Sequence, residues 1–291
     1  MRYFTVSAVF HYLGPAFAVL LFARVDVLGV AWLRIAVAAA VFAAWRRPWR
    51  SVRATDRLVL AWGACLALMN CCFYLAIDRL PLATVAAIEF VPVIALAALG
   101  ARTPRNLAAL ALAVAGVDAL TGIHLAGGAL GLALAFANAG LFATYIVLAD
   151  RIAKRPALDG VDGLGMAMLV AAAVVTPLAA WAAVPALTDP VALAAGAGVA
   201  VSSSVIPYVC DQLALARLPR ATYSLMVSLL PAVATVIGVV VLTQIPSALE
   251  LLGVAAAAAG VALHAPPGAH AAGPAAAPAE GVAGSASSVR P

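Results

Sequence analysis

One glutamate stands inside a stretch that otherwise has the composition of a membrane span. The stretch is RLPLATVAAIEFVP, from Arg79 to Pro92, and its acid is Glu89. A charged side chain at mid-membrane depth costs about 2.5–3.5 kcal/mol on insertion scales. That cost falls if the carboxylate faces a wet cavity or carries a proton. A carboxyl that binds substrate, or exchanges a proton with each side in turn, fits the pattern; a protonated carboxyl bonded to a neighbouring helix is the alternative.

Other polar side chains share a helix face through i, i+4 spacing. Asn70 and Tyr74 place an amide and a hydroxyl in one stripe, suited to lining a cavity or to bonding between helices. Pro207 and Asp211 are spaced in the same way, and a proline frees a backbone carbonyl that can line a site. Asp211 lies near a span end, where it can equally reach headgroup water.

Three further side chains are weaker candidates for the same cavity. Arg34 lies near the outer end of its span, where it can extend to water or pair with an acid such as Glu89. His11, which precedes Tyr12, and Asn138 each fall within an apolar run. Each of these two side chains either lines the cavity or serves packing between helices.

The composition indicates which elements must position these residues. The chain of 291 residues is 66% hydrophobic and only 10% charged, with a mean hydropathy of +1.09. A soluble domain carries roughly 25% charged residues, so this chain is predicted to be an integral membrane protein surrounded by lipid. Its net charge of +5 lies in short clusters between apolar runs, which argues against a nucleic-acid partner.

The apolar runs predict ten transmembrane helices, because each is long enough to cross a bilayer and none alternates with period two. The predicted spans are 3–22, 29–45, 58–77, 83–99, 106–121, 128–149, 163–184, 191–213, 221–242 and 247–264. Residues 265–291 are Ala, Pro, Gly and Ser with few large apolar side chains, and we expect a disordered cytoplasmic tail.

The basic residues predict the orientation of the chain. Thirteen of them fall on the side of the N-terminus, and only Arg24 and Arg79 fall in loops on the opposite side. The positive-inside rule therefore places both termini in the cytoplasm. The thirteen are Arg2, Arg46, Arg47, Arg50, Arg53, Arg57, Arg102, Arg105, Arg151, Lys154, Arg155, Arg217 and Arg220.

One phrase occurs twice, and its two copies fall on opposite sides of the predicted membrane. RLPLAT begins at Arg79 and RLPRAT at Arg217, 138 positions later, and each copy joins two spans. Pro92 and Pro231 follow inside the next span, as gating bends or as fixed curvature. Two inverted five-helix repeats are predicted, residues 1–125 and 126–264, around a central cavity that holds the substrate site.

The segments around the two copies resemble the drug/metabolite transporter superfamily, and within it the EamA family in its threonine/homoserine exporter-like branch. The first-half residues that match this branch are Arg34, Asn70, Phe73, Tyr74, Pro81, Glu89, Phe90 and Pro92. Those of the second half are Ala143, Tyr145, Pro207, Tyr208, Arg217, Leu218 and Pro219, with Asp211 in the place of an acid. The resemblance covers nearly all of residues 1–264.

The resemblance implies an inner-membrane carrier that exports or exchanges small metabolites, often amino acids, without ATP. Spans 5 and 10 would be peripheral, and the other eight would surround the cavity. Tyr208 corresponds to Asn70 by the offset of 138, which favours a central position for both. The chain departs from the branch at Leu230, where an acid is usual, and at Thr243 and Gln244, where the branch has a Gly-Glu pair. These departures bear on the substrate and the coupling.

Other functions find less support in the sequence. There is no HExxH, GxSxG or nucleotide-phosphate motif, and no cysteine spacing typical of a metal site, so we expect neither an enzyme nor a cofactor. A membrane scaffold or receptor without transport is the alternative to a transporter. Proton coupling and a homodimer are compatible with the sequence, which decides neither.

Overall fold

The computed structural model describes residues 2–52, 56–100, 103–153, 155, 159–215 and 230–263. These residues form ten helical segments, and none of them belongs to a strand. In chain order they are α1 Arg2–Leu21, α2 Val27–Arg46, α3 Arg57–Ile77, α4 Leu82–Gly100, α5 and α6 within Pro104–Ala153, α7 Gly160–Thr188, α8 from Pro190 to Leu215, α9 Leu230–Leu242 and α10 Ala248–Leu263. A short 3-10 helix, Pro48–Arg50, lies between α2 and α3.

Two of these segments depart from a regular helix. Pro104–Ala153 is interrupted at Gly128, whose backbone (φ −146°, ψ 29°) is not helical. We therefore divide it into α5 before Gly128 and α6 from Gly128 onward, as spans 106–121 and 128–149 predict. Helix α8 is α-helical over Pro190–Ala200 and Ile206–Leu215, with a π turn over Val201–Val205 between them.

The helices have the lengths and surfaces of membrane spans. Five are long and apolar enough to cross a bilayer: Val27–Arg46, Arg57–Ile77, Gly128–Ala149, Gly160–Thr188 and Pro190–Cys210. Four shorter apolar helices accompany them among the described residues. Large apolar side chains point outward, as Trp181 and Val240 do at 66% and 74% exposure. Lipid accepts such a surface and water does not, so the prediction of an all-α integral membrane protein is confirmed.

Four of the helices begin at an aspartate that caps their first turn. Asp26, Asp56, Asp159 and Asp189 precede α2, α3, α7 and α8, and each carboxylate accepts a backbone N–H at 2.9 Å. Asp159 follows Asp26 by 133 positions, and Asp189 follows Asp56 by the same interval. The same caps therefore start the second and third helices of both halves.

The helices of the second half make the same contacts as the helices five places earlier in the chain. Helix α1 packs on α8 and α9, and in the corresponding way α6 packs on α3 and α4. Helix α2 pairs with α7, α4 with α9, and α5 with α10. The second copy of the doubled phrase, residues 217–222, lies outside the described residues. The arrangement is the one that two inverted repeats produce.

Helix α2 and helix α7 pack along most of their length. Gly29 lies directly against the backbone carbonyl of Ala182, and the Trp32 indole donates to the Thr176 hydroxyl at 3.0 Å. At the far end Arg46 binds both Asp159 and Asp162. This antiparallel pair fixes the position of Arg34, which lies between its two ends.

Candidate functional site

Arg34 is a buried cation held by the π turn of α8. Its Nε donates to the Ser204 hydroxyl at 2.8 Å and its Nη2 to the Ser203 carbonyl at 3.0 Å. The guanidinium carbon lies 5.4 Å from the centre of the Tyr74 ring, a cation–π contact. Only 6% of Arg34 is exposed, so the side chain does not extend to water. Its hydrogen-bond partners among the described residues are serines, and it forms no contact ion pair with an acid there.

The Ser203 carbonyl is available to Arg34 because of a proline. In an α-helix this carbonyl would accept from the backbone N–H of residue 207, but Pro207 has none. The backbone N–H of Ile206 already bonds the Val201 carbonyl in the π register. Pro207 thus leaves the Ser203 carbonyl without its α-helical donor, at membrane depth and inside a π turn. Arg34 supplies the missing donor.

Glu89 is the corresponding buried acid. It is 5% exposed, and its Oε1 accepts a hydrogen bond from Nδ2 of Asn138, across α4 and α6, at 3.2 Å. Glu89 is also within electrostatic reach of Tyr12 and of the Arg34 guanidinium. Its hydrogen-bond partner among the described residues is a neutral amide.

Arg34 and Glu89 lie at the same depth. Each stands seven residues after the first residue of its helix, Val27 for α2 and Leu82 for α4. At 1.5 Å per residue both are about 10 Å inside. Because only α3 separates α2 from α4, both helices begin at the same face of the bundle. A buried guanidinium and a buried carboxyl group therefore occupy one level of the structure, and each is hydrogen-bonded to neutral groups.

Several buried polar atoms around these charges have no protein partner among the described residues. They are the hydroxyls of Tyr12 and Tyr74 and the carbonyl oxygens Oδ1 of Asn70 and Asn138. Nε1 of Trp62 also has no partner among these residues, but it lies near the other end of α3. An unpaired polar group in an apolar interior costs about 1–3 kcal/mol. A polar ligand at this level would find donors and acceptors on α1, α3 and α6 that the fold has not already used.

The predicted site residues are only partly brought together. Tyr74 contacts Arg34, whereas Asn70 is buried and donates through Nδ2 to the Leu66 carbonyl of its own helix. The ring of His11 lies 5.3 Å from that of Tyr12, and His11 is within electrostatic reach of Arg34.

The two remaining side chains belong to α8. Tyr208 is 8% exposed and packs in a core cluster with residues of α2, α3 and α7. Asp211 lies on α8, but its side chain lies outside the described residues, so its role stays a prediction.

The two prolines predicted to act as gates lie within helices. Pro92 is in the interior of α4, three residues after Glu89, and deprives the Ile88 carbonyl of its helical donor. Pro231 is buried at the start of the described part of α9, and its carbonyl accepts from the Thr235 hydroxyl at 2.9 Å. Their gating role stays a prediction.

Two cavities lined by described residues lie elsewhere. One, of about 520 Å³, is an apolar groove between α1 and α8, with Arg24 at one end and Ser202 at the other. The second, of about 190 Å³, lies where α4 begins and α9 ends, and includes Thr84 and Gln244. The side chains around Arg34 and Glu89 are instead packed closely against one another.

Charged groups at the helix ends form ion pairs outside the spans. Arg46 binds Asp162 at 2.8 Å, and Arg155 binds Asp56 across two connections. Partial burial raises the pKa of Asp56, but hydrogen bonds from Arg155 and Leu58 and the Arg155 charge outweigh it, so the pKa lies below its usual value.

The structure adds residues that the sequence analysis did not select. Ser203 and Ser204, which bind Arg34, were not among the candidates. Asn138, one of the weaker candidates, is the residue that bonds Glu89. The signal that could have found the two serines is Pro207, three residues after Ser204, since a proline deprives the Ser203 carbonyl of its α-helical donor.

Comparison with known proteins places the chain in a family. The model of the EamA-like transporter family matches residues 129–265. The threonine/homoserine exporter RhtA of Salmonella typhimurium is 31% identical over 252 residues, which span 84% of this chain and 83% of the relative. The chain belongs to the EamA-like transporter family. The Escherichia coli K12 exporter of the same name is 32% identical over 250 residues, with the same coverage.

A known crystal structure agrees with the fold of this family member. It superimposes with a TM-score of 0.59 at 18% identity, over 90% of this chain and 96% of the other. The resemblance that the residues around Glu89 indicated is thus confirmed, as is the ten-helix, inverted-repeat class of fold.

Proposed function

We propose that this chain is a secondary transporter that exports threonine, homoserine or similar small amino acids by alternating access. The observation that carries the proposal is the pair of buried charges, Arg34 and Glu89, at one depth and bonded to neutral partners. An α-amino acid carries the two opposite charges, with its carboxylate suited to the guanidinium and its ammonium to the carboxylate. The relatives' names as threonine/homoserine exporters support this choice of substrate.

Burial strengthens the case for a charged substrate. A buried ion that lacks an opposite charge is costly, and removing one partner of a buried pair costs about 3–5 kcal/mol. Retaining both Arg34 and Glu89 without a contact ion pair in the described structure is therefore unfavourable unless another molecule compensates them. A zwitterion compensates both at once.

The remaining parts of the proposal concern the cycle and its setting. Residues 1–125 and 126–264 are the two repeats that rock against each other, with Pro92 and Pro231 as bends in α4 and α9. Glu89 is the group at which a proton and the substrate ammonium compete, which would couple export to the proton gradient. We place the protein in the inner membrane with both termini in the cytoplasm, as the basic residues predict.

The test is counterflow of labelled L-threonine in proteoliposomes with Glu89→Gln. Glutamine keeps the shape and the acceptor for Asn138 but removes the charge. A hydrogen bond to a charged group contributes about 1.5–3 kcal/mol, so we expect the apparent affinity to fall roughly 10- to 100-fold. Glu250→Gln, in the first turn of α10 and away from Arg34 and Glu89, is the matched control and should leave counterflow unchanged.

Two results would reject the proposal. Counterflow in Glu89→Gln equal to that of the wild type, with the same response to a pH gradient, would remove Glu89 from the site. An absence of flux for every amino acid tested in the wild type would favour the non-transporting scaffold.

A further inference from the structure

The two oxygens that hold Arg34 occupy one edge of its guanidinium. Nε binds the Ser204 hydroxyl at 2.8 Å and Nη2 binds the Ser203 carbonyl at 3.0 Å. These two nitrogens form the side of the guanidinium fork that binds both oxygens of a carboxylate. Two oxygens of adjacent residues on α8 therefore take the place that a carboxylate would take.

The π turn is held where it can do this. Gly14 of α1 lies against Ser203, and a Cβ added there would be 2.8 Å from the Ser203 Cα. The Ser203 hydroxyl donates to the Val199 carbonyl of its own helix at 2.6 Å. The side chain of Ser203 is thus directed into its own helix, while its backbone carbonyl is directed toward Arg34.

We propose that the π turn of α8 is an internal surrogate for the substrate carboxylate and senses whether substrate is bound. This proposal rests on the proposed function, since it requires an amino acid as substrate. The incoming carboxylate displaces the Ser203 carbonyl and the Ser204 hydroxyl from Arg34. Pro207 cannot supply an N–H, so the released carbonyl must find another donor. The bend of α8 therefore changes when Arg34 changes partner.

This exchange distinguishes substrates by their carboxylate. Displacing the π turn lowers affinity only for ligands that need the Nε–Nη2 edge of Arg34. An amino alcohol, which keeps the ammonium but lacks the carboxylate, leaves the π turn in place and cannot release α8. Two residues determine how much affinity the displacement costs: Ser204 through its hydroxyl and Pro207 through its missing N–H.

The experiment compares binding of L-threonine and L-threoninol to the purified full chain by calorimetry. Ser204→Ala removes one of the two competing oxygens, and we expect it to bind threonine about tenfold more tightly, the factor for one net hydrogen bond. Pro207→Ala supplies the Ser203 carbonyl with an intrahelical donor and should act in the same direction. Threoninol binding should not change in either variant.

Ser202→Ala is the matched control. Its hydroxyl donates to the Val199 carbonyl at 3.1 Å, so its loss should leave both affinities at the wild-type value. Threonine binding by Ser204→Ala that equals or falls below that of the wild type would overturn the surrogate while leaving the transport proposal intact. Tighter binding of threoninol as well would show that Ser204 acts through packing. If the wild type binds neither threonine nor homoserine, both proposals fail.

Discussion

The substitution Gly260→Ala tests whether α5 and α10 form a scaffold outside the transport site. A Cβ built on Gly260 would lie 2.7 Å from the Ala109 carbonyl oxygen and 2.9 Å from both the backbone nitrogen and the Cβ of Ala113. Two of these three atoms are backbone, so no rotamer change can make room. The helices would have to separate by about 0.7 Å for the shortest contact to become an ordinary one at 3.4 Å.

Two free-energy terms of opposite sign decide the outcome for Gly260→Ala. Alanine is favoured over glycine inside a helix by roughly 1 kcal/mol. Overpacking a close contact costs typically 1–3 kcal/mol. We therefore expect a net destabilisation of up to about 2 kcal/mol. Gly140 has no atom within 4 Å of its added Cβ, so Gly140→Ala carries only the first term and should be stabilising.

The assay is thermal unfolding of the purified proteins in one detergent, followed by threonine binding at a temperature where both variants are folded. Opposite shifts of the melting temperature for Gly260→Ala and Gly140→Ala are expected, with unchanged threonine affinity in Gly260→Ala. Equal melting temperatures would refute the close approach of α5 and α10. A loss of affinity in a folded Gly260→Ala protein would refute their peripheral position.

Two further predictions concern the ends of the helices. Arg155 lowers the folded-state pKa of Asp56, so this ion pair stabilises the fold above the unfolded pKa of 3.8, and the stabilisation is lost as pH falls through the folded value. Asp56→Asn keeps the cap on Leu58 but removes the charge. This variant should melt at a lower temperature than the wild type at pH 7 and at the same temperature at pH 2. Gln244 accepts a hydrogen bond from the Leu82 N–H at 3.2 Å at the start of α4, so Gln244→Ala should lower the free energy of unfolding by about 1 kcal/mol. Gln244→Glu should be at least as stable as the wild type, because a negative charge is favoured at a helix N-terminus. Equal melting temperatures of the wild type and both variants would contradict the cap.

Thr243 and Gln244 are positions at which this chain departs from its branch of the family. Thr243 adopts φ 53°, a region that favours glycine, beside Gln244. The branch has a Gly-Glu pair at these positions. Gln244 caps α4 at one end of the bundle, and Glu89 lies about 10 Å further along the same helix. In this chain the amide of Gln244 stands in the place of that acid and caps α4.

The sequence by itself determined the class of protein, the number of spans and the presence of one acid, Glu89, within the fourth span. Long apolar runs with few charges allow only membrane helices, and the one acid in the fourth span had to be buried because its helix crosses the membrane. The doubled phrase indicated that the chain has two inverted halves. The aspartate caps, which recur 133 positions apart at the helix starts, indicate the same two halves.

Only the tertiary structure decided which groups these buried side chains meet. The spans are apolar on every face, so no hydrophobic stripe in the sequence shows which side of a helix faces inward. The rotation of α2 against α7 brings Arg34 into contact with Ser203 and Ser204 rather than with an acid. The packing of α6 on α4 brings Asn138 into contact with Glu89. These partners depend on how helices from the two halves cross, which contacts distant in sequence determine.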